Sequence, residues 1–316
     1  MLKSKIVRAG ALAALGWLAF APARAVQPAD RSAAWVSSSL SAGISHETSE
    51  VNVGEDQSLS ISGERVRSSN LYQREAGSAN GALACGADTA CTASMSVDAR
   101  NGSRNPELDL EIAHADAGVR RLIGPGIWGV RLAQEQWQMG HELYRQARGV
   151  IADVSTPDGA ASSSLTFSRR THPGENAVLD SHYRAITTVF RQAIPGESNS
   201  SYALQAVLSR EENMQGVRSL DTRGTLVRAV WSANPIPRWE TRAALAMQTL
   251  RYAEIDPALG VQRADRHASF EFNLTRRLDR RLELRLEYVY TRFQSTVPMP
   301  GSDWFSIGAG LQWEFS

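Results

Sequence analysis

Alternation of apolar and polar residues is clearest in the last fifty residues of the chain. From position 281 the sequence reads R-L-E-L-R-L-E-Y-V-Y-T-R, with leucine and tyrosine at most positions of one parity and mainly charged residues at the other. The final stretch, D-W-F-S-I-G-A-G-L-Q-W-E-F-S, sets aromatic and aliphatic residues against serine, glycine and glutamate. A period of two predicts extended strands with two unlike faces.

The chemistry of the two faces distinguishes two architectures. In a soluble β-sandwich the apolar face forms the core and the polar face meets water. In a membrane barrel the apolar face meets lipid and the other face meets a wet lumen. The apolar faces here are long and end in aromatic residues, which favours the membrane barrel over the sandwich.

Shorter alternating segments recur along the chain, separated by turn-forming residues at 101–106, 157–159, 195–196 and 234–237. Their lengths predict an all-β fold, an antiparallel transmembrane β-barrel of about 12–14 strands. In the C-terminal half, short connections alternate with longer ones. This alternation is typical of barrels with tight periplasmic turns and longer extracellular loops.

The N-terminal half is less regular. Polar composition predicts loops over 45–56 and 67–92, a strand over 57–66 between them, and a turn over 117–126. Segment 138–153 fits a short helix as well as a strand. In a 14-strand count the predicted loop 67–92 falls on the periplasmic side, so either a strand is miscounted there or the segment folds into the lumen.

The first residues have the organisation of a secretory signal peptide. A basic segment, 1–8, precedes an apolar stretch, 9–20, and A-R-A at 23–25 supplies a cleavage site. An uncleaved anchor is disfavoured because a spanning helix needs ~20 apolar residues. We therefore predict a signal peptide over 1–25 and one barrel over 26–316, located in the outer membrane of a Gram-negative bacterium.

The charge balance argues against nucleic acid as a partner. The chain has 34 basic and 33 acidic residues. Removal of residues 1–25 takes away four basic residues and no acid, which leaves 30 minus 33, or −3. A chain so close to neutral offers no electrostatic driving force for binding phosphate backbones.

The two cysteines, Cys85 and Cys91, lie close together in C-G-A-D-T-A-C. Export to an oxidising compartment predicts a local disulfide. Metal binding is the weaker alternative, because two thiols without a nearby histidine make a poor ligand set.

No motif of a serine hydrolase, zinc protease or phosphate loop is present in the sequence. We therefore predict no catalytic, cofactor-binding or metal-binding residue and no cofactor. His172, Asp180 and His182 form the one local acid–histidine cluster, for which a structural or surface role is favoured over a catalytic one.

Charged residues on the polar faces are predicted to project into the lumen. They could form an ion-pair ladder that stabilises the wall, a pore lining that sets selectivity, or both. Aromatic residues near strand ends, among them Trp128, Trp137 and Tyr252, are predicted to lie in interfacial girdles. The predicted lumen residues are Glu240, Arg242, Glu271, Glu283, Arg285, Glu287 and Glu314.

The C-terminal L-Q-W-E-F-S resembles the signal of bacterial outer-membrane proteins that the barrel-assembly machinery reads, although Ser316 follows the aromatic Phe315 here. The last hairpin, L-R-L-E-Y-V-Y-T-R-F-Q-S followed by W-F-S-I-G-A-G-L-Q-W-E-F, resembles barrels of surface lipoprotein assembly modifiers and polysaccharide-export porins. The earlier P-R-W-E-T-R-A-A-L-A-M-Q-T-L-R-Y is also similar to that group. The helical repeats that usually precede those barrels are not visible.

These patterns predict a pore or export channel for a solute, a polymer or a surface protein. One alternative is a plugged barrel that acts as an assembly or interaction module for surface components. Another is an outer-leaflet lipid-modifying enzyme. Expected partners are outer-membrane lipid, the barrel-assembly machinery and a secreted or surface substrate.

Overall fold

The structure is a computed structural model that describes residues 35–52, 65–102, 109–194, 200–255, 260–297 and 301–315. The predicted signal peptide and most of the strand predicted over 57–66 lie outside these residues.

Within the described residues, fourteen antiparallel strands form a closed barrel, in which every strand pairs with its sequence neighbours and the last pairs with the first. This confirms the predicted fold class at the upper end of the predicted strand number. The strands are β1 (Trp35–Asn52), β2 (Arg65–Gly86), β3 (Thr89–Gly102), β4 (Leu110–Ile123), β5 (Gly126–Met139), β6 (Glu142–Ser155), β7 (Ala161–Thr171), β8 (Ser181–Ala193), β9 (Ser200–Asn213), β10 (Thr222–Ala233), β11 (Trp239–Ile255), β12 (Gln262–Arg277), β13 (Leu282–Ser295) and β14 (Gly301–Phe315).

The barrel has two unlike ends. The turn end holds the start of β1, the end of β14 and the connections 87–88, 124–125, 156–160, 194–199, 234–238 and 278–281. The loop end holds the connections 53–64, 103–109, 140–141, 172–180, 214–221, 256–261 and 296–300. Most loop-end connections are longer, and the two-residue connection 140–141 is the exception.

Side chains alternate between the outside and the inside of the barrel. On β11, Leu245 and Met247 are 61% and 66% exposed on the outer face, whereas Ala244, the residue before Leu245, is 3% exposed. Large exposed apolar side chains recur on the outer face of most strands. Such a band fits a wall that meets lipid and does not fit the soluble sandwich.

Two short 3-10 helices, Gly174–Leu179 and Arg218–Leu220, lie in loop-end connections. Among the described residues, no helix is both long enough and apolar enough to cross a membrane.

The prediction of a loop over 67–92 is wrong. Strand β2 continues to Gly86, only residues 87–88 form the turn, and β3 begins at Thr89. Serine, alanine, asparagine and glycine dominate this segment, so large apolar residues on its outer face, such as Leu71 and Leu83, are too widely spaced to mark a strand. Pairing with β1 and β3 along its length determines the conformation instead.

Two further boundaries differ from the predictions, and one segment that was left open between helix and strand is strand. Strand β1 continues to Asn52, through most of the predicted loop 45–56, and β4 continues to Ile123, through most of the predicted turn 117–126. Segment 138–153 is strand on both sides of the tight turn 140–141. In segments 117–123 and 138–153, small or polar residues on the outer face, such as Ala117, Arg121 and Arg148, hide the alternation.

Candidate functional site: the charged lumen

The lumen is bounded by the inward-facing residues of all fourteen strands, and some of its charged side chains are partly exposed. Arg74 on β2 is 40% exposed, and its partners Asp98 on β3 and Glu287 on β13 are 24% and 23% exposed. Since these side chains point into a closed barrel, the exposed area faces the inside of the barrel. These side chains of the described lumen are therefore accessible to solvent.

Small residues line one side of the lumen, where the first and last strands meet. On β1 and β2 the hydroxyls of Ser39 and Ser78 lie 2.8 Å apart. Glycines allow β14 and β1 to approach closely, since a Cβ on Gly43 would meet the carbonyl oxygen of Ala309 at 2.6 Å. We call this surface the small-residue wall; its members are Ser37, Ser39, Ser41, Gly43, Ser45, Ala76, Ser78, Ser94, Ser96, Ser306, Gly308 and Gly310.

An ion pair crosses the small-residue wall. Arg74 Nη1 donates to Glu287 Oε2 at 3.1 Å, and Arg74 Nη2 donates to Asp98 Oδ2 at 2.8 Å. Strands β1 and β14 lie between β2 and β13, so the Arg74 and Glu287 side chains reach over both. Gly43 pairs with Arg74, and Gly308 pairs with Glu287; neither glycine has a side chain that could block the contact.

A charged patch on β10–β13 faces the lumen next to this wall. Arg228 and Glu271, both 7% exposed, form an ion pair of 2.9 Å. Arg285 donates two hydrogen bonds to the amide oxygen of Asn273, at 3.1 and 2.9 Å. Charges of both signs in direct contact make this patch an ion-pair ladder along the inner wall.

A second ladder runs across β4–β6 on the inner wall. Asp116 accepts hydrogen bonds from Arg131 at 3.2 Å and contacts His114 Nε2 at 3.2 Å. Arg131 also contacts Asp153 at 3.3 Å, and Asp153 pairs with Arg120 at 3.1 Å. The chain of contacts alternates in sign, so each buried carboxylate has a cationic partner.

Two compact clusters lie inside the barrel near the loop end. Glu135 accepts from the Trp137 indole at 2.7 Å and from Arg145 at 2.6 Å, while the Arg145 guanidinium lies 4.2 Å from the Trp137 ring centre. Arg170 on β7 pairs with Glu211 on β9 at 2.7 Å, so this ion pair crosses β8. Trp137 is 5% exposed on the inner face, so its predicted place in an outer girdle is wrong.

A polar cluster around one carboxylate occupies the loop end of β11–β13. Asp265 is 1% exposed and pairs with Arg263 at 2.7 Å. Ser295 donates to Asp265 at 2.7 Å, and the hydroxyl of Tyr252 lies 3.4 Å from the same carboxylate. Tyr252 thus faces inward, contrary to its predicted place in an outer girdle.

Several residues predicted to line the lumen lie on the inner face of their strands, and the apolar residues beside them in the sequence face outward. Glu271, Arg285 and Glu287 belong to the charged contacts above, while Arg242 lies on the same face of β11. The side chain of Glu314 lies outside the described part of the chain. The other two, Glu240 and Glu283, line a cleft of about 430 Å³ at the turn end. Within this cleft, Arg277 pairs with Glu283 at 3.1 Å.

Other charged residues of the lumen were not predicted from the sequence. Arg74 lies in the segment predicted as a loop, and Arg131 and Arg228 lie on strands whose facing was not assigned. Parity was an available signal for Arg131 and Arg228, which alternate with exposed apolar residues such as Val130 and Val227. Arg74 lies between Gln73 and Glu75 and has no such signal.

The acid–histidine cluster does not form one site. His172 lies in the connection 172–180, and its backbone N–H donates to Asp180 at 2.7 Å. His182, at the start of β8, is exposed on the outer face. Burial, together with the nearby positive charge of Arg145, lowers the pKa of His172. Among the described residues, no group of histidine, cysteine, aspartate and glutamate is arranged to hold a metal ion.

Cys85 and Cys91 form a disulfide across the hairpin that joins β2 and β3. Cys91 pairs with Leu83, which is 56% exposed on the outer face. The disulfide therefore lies at the turn end on the outer side of the wall.

The chain matches no known protein family and no curated protein. Among solved structures it is similar to an anion-selective porin from Comamonas acidovorans, with 8% identity, a TM-score of 0.47, and coverage of 90% of this chain and 99% of that one. It is also similar to a loop-deletion mutant of OmpT, an outer membrane protein of Vibrio cholerae, with 7% identity, a TM-score of 0.44, and coverage of 90% and 100%. Pseudomonas aeruginosa OccK11 gives 8% identity, a TM-score of 0.44, and coverage of 89% and 96%. Likenesses this distant carry no argument about function.

Proposed function

We propose that the protein is an outer-membrane pore for small hydrophilic solutes. The observation that carries the proposal is the solvent-accessible inner face, where partly exposed ion pairs such as Arg74–Glu287 lie against a wall of serine and glycine. Polar inner faces are typical of barrels that conduct water and solutes. The outer membrane is the proposed location because closed barrels span it and the N-terminus resembles an export signal.

The strand number supports a lumen wide enough for solutes. Side chains fill barrels of about 8 strands, whereas barrels of 16–18 strands leave an aqueous channel. Fourteen strands lie nearer the second class. The small-residue wall leaves more of that width free than large side chains would.

The ion pairs of the lumen argue for weak charge selection. The β4–β6 ladder alternates arginine with aspartate, and Arg228 pairs with Glu271. A ring of one sign, as in strongly selective channels, is not formed by these contacts. We therefore expect a reversal potential close to zero in a salt gradient.

Single-channel conductance of the refolded protein in a planar bilayer tests the proposal. Ser41→Trp places a large ring on the small-residue wall and is expected to reduce the conductance. Ala42→Trp is the matched control, because Ala42 is exposed on the outer face one residue further along β1. It is expected to leave the conductance unchanged.

Steady channels that respond to the Ser41 variant and not to the Ala42 variant would support the pore. Electrical silence from a folded, heat-modifiable barrel would overturn it and would favour the plugged assembly module.

A further inference from the structure

An exposed, outward-facing arginine lies on every strand from β6 to β13. Each belongs to the same outer-face parity as the exposed apolar residues of its strand, such as Leu208 on β9 and Met247 on β11. We call this set the arginine row; its members are Arg148, Arg169, Arg184, Arg210, Arg223, Arg251, Arg266 and Arg292.

Neighbouring members of the row are close across the strands. Arg148 pairs directly with Arg169. Arg210 is flanked by two members, since it pairs with Arg184 on one side and with Arg223 on the other. Side chains directly opposite have Cβ atoms ~5 Å apart, and like charges in that position destabilise a sheet.

The row continues along the barrel by the same rule. Arg223 pairs directly with Arg251 on β11. Arg266 lies diagonally across from Arg251, because it pairs with Thr249, two residues away on β11. Arg292 lies diagonally across from Arg266, because it pairs with Ala268, two residues away on β12. The result is a continuous cationic arc over eight strands of the wall.

The arc lies at the loop-end edge of the apolar band. The next outer-face residues toward the turn end are Val150 on β6, Phe167 on β7, Ile186 on β8 and Leu208 on β9, all exposed. On β12 the band runs from Arg266 to Arg276, a height of about 25 Å at ~3.4 Å per residue and a tilt of ~40°. The row therefore lies at the edge of this band, the level at which headgroups are expected for a barrel in a membrane.

Few acidic side chains compensate the row within the described residues. Glu212 contacts Arg184 at 3.3 Å and Arg210 at 2.7 Å, and Asp303 lies 3.8 Å from Arg292. The other five members have no acidic partner in the described part of the chain. Within the described residues, the mutual repulsion of these five arginines is not offset by an acidic side chain, so an external anion would stabilise the row.

We propose that the arginine row binds the anionic phosphates of membrane lipid headgroups in the leaflet at the loop end. The guanidinium group of arginine matches phosphate oxygens with paired hydrogen bonds. A headgroup with two phosphates would neutralise two neighbouring arginines at once. Continuity with the apolar band selects a lipid over a soluble anion, because the acyl chains cover Phe167, Ile186 and Leu208 below the same arginines.

The remaining sector of the outer wall does not share this character. On β2–β5 the corresponding loop-end positions carry Glu75, Glu111, Gln134, Gln136 and Gln138. A face of carboxylates and amides does not attract phosphate. Among the described side chains at the loop end, those suited to phosphate therefore lie on the β6–β13 side of the barrel, and the proposal does not depend on an open lumen.

The test uses the full chain folded in phosphatidylcholine vesicles, with and without a bis-phosphorylated glycolipid. The readout is the temperature midpoint for loss of the heat-modifiable barrel. For the parent chain we expect the glycolipid to raise the midpoint, with a smaller rise at high salt because exposed charges are screened.

Arg223→Gln with Arg251→Gln removes a directly paired couple that has no acidic partner among the described residues. In pure phosphatidylcholine this double variant is expected to be at least as stable as the parent, because repulsion is relieved. With the glycolipid its midpoint is expected to rise less than that of the parent. If the two arginines had a purely structural role, the double variant would have a lower midpoint both with and without the glycolipid. The expected difference between the two lipid conditions therefore indicates phosphate binding.

The control is Arg121→Gln with Arg276→Gln. Both arginines are exposed on the outer face at the turn end, and neither has an arginine directly opposite. This variant is expected to keep most of the glycolipid response and to gain nothing in phosphatidylcholine. Equal loss of response in the two variants, or equal stabilisation of the parent by soluble pyrophosphate, would overturn the proposal.

Discussion

Burial decides what an individual ion pair in this barrel contributes to stability. Arg228 and Glu271 are almost completely buried and 2.9 Å apart. Glu271→Ala leaves the guanidinium of Arg228 buried without its carboxylate, and removal of one partner from such a pair costs about 3–5 kcal/mol. We expect a loss of that size in the free energy of unfolding, measured by urea titration of the refolded protein.

Two comparisons control this prediction. Arg228→Met with Glu271→Met removes both charges and is expected to restore most of the stability. Arg74→Ala breaks pairs that face the solvent-accessible lumen, so its cost is expected to stay below about 1 kcal/mol. If Glu271→Ala is as stable as Arg74→Ala or more stable, burial is not the factor that decides the contribution of an ion pair.

His172 gives the loop end a pH dependence with a definite sign. Its pKa is lowered from the usual 6.5 by burial. The unfolded chain therefore takes up a proton first as pH falls below about 6.5, so stability decreases from there and the loss is complete below the lowered pKa. His172→Asn should flatten this part of the stability-against-pH curve. His182→Asn, in the exposed outer-face histidine, should leave it in place, and the reverse result would refute the prediction.

At the scale of single strands, glycine determines how closely β1 and β14 can approach. A Cβ on Gly43 would lie 2.6 Å from the carbonyl oxygen of Ala309 and 2.9 Å from the Cα of Gly310, and both are backbone atoms. We therefore expect Gly43→Ala to lower the yield of folded, heat-modifiable barrel, because the closing pair of strands must shift.

Gly77→Ala is the matched control on the neighbouring strand. A Cβ there would meet Leu40 at 3.8 Å and the carbonyl oxygen of Ser39 at 3.9 Å, which is ordinary contact. This variant should fold as the parent does. Similar yields for the two variants would show that the β1–β14 contact tolerates a side chain.

Strands differ in how much of their structure the sequence reveals. On β13 the outer-face residues include Leu286 and Tyr288, so alternation with charged residues marks both the strand and its facing. On β2 the outer-face residues include Gln73, Glu75 and Gly77, so alternation disappears although the backbone is equally paired. The lipid-facing requirement creates the sequence signal, and the signal fades where the outer wall is polar.

At the scale of the whole molecule, the charged contacts depend on barrel closure. Arg74 and Glu287 are 213 residues apart in the chain and meet because β14 pairs with β1. Parity predicts which residues face inward on a strong strand, but it does not fix which strands become neighbours or in what register. The lumen charges on β11–β13 could therefore be named from the sequence, whereas the contact across the small-residue wall could not.

The disulfide is expected to contribute to the stability of the barrel and not to its conductance. The Cys85–Cys91 disulfide lies on the outer side of the wall at the turn end, and a loop so short is worth about 2 kcal/mol in the unfolded chain. Reductant, or Cys85→Ser with Cys91→Ser, is expected to lower the free energy of unfolding by up to that amount. It is expected to leave single-channel conductance unchanged, because no lumen side chain depends on the bond. A conductance step on reduction, with a folded barrel before and after, would place the hairpin in the solute path.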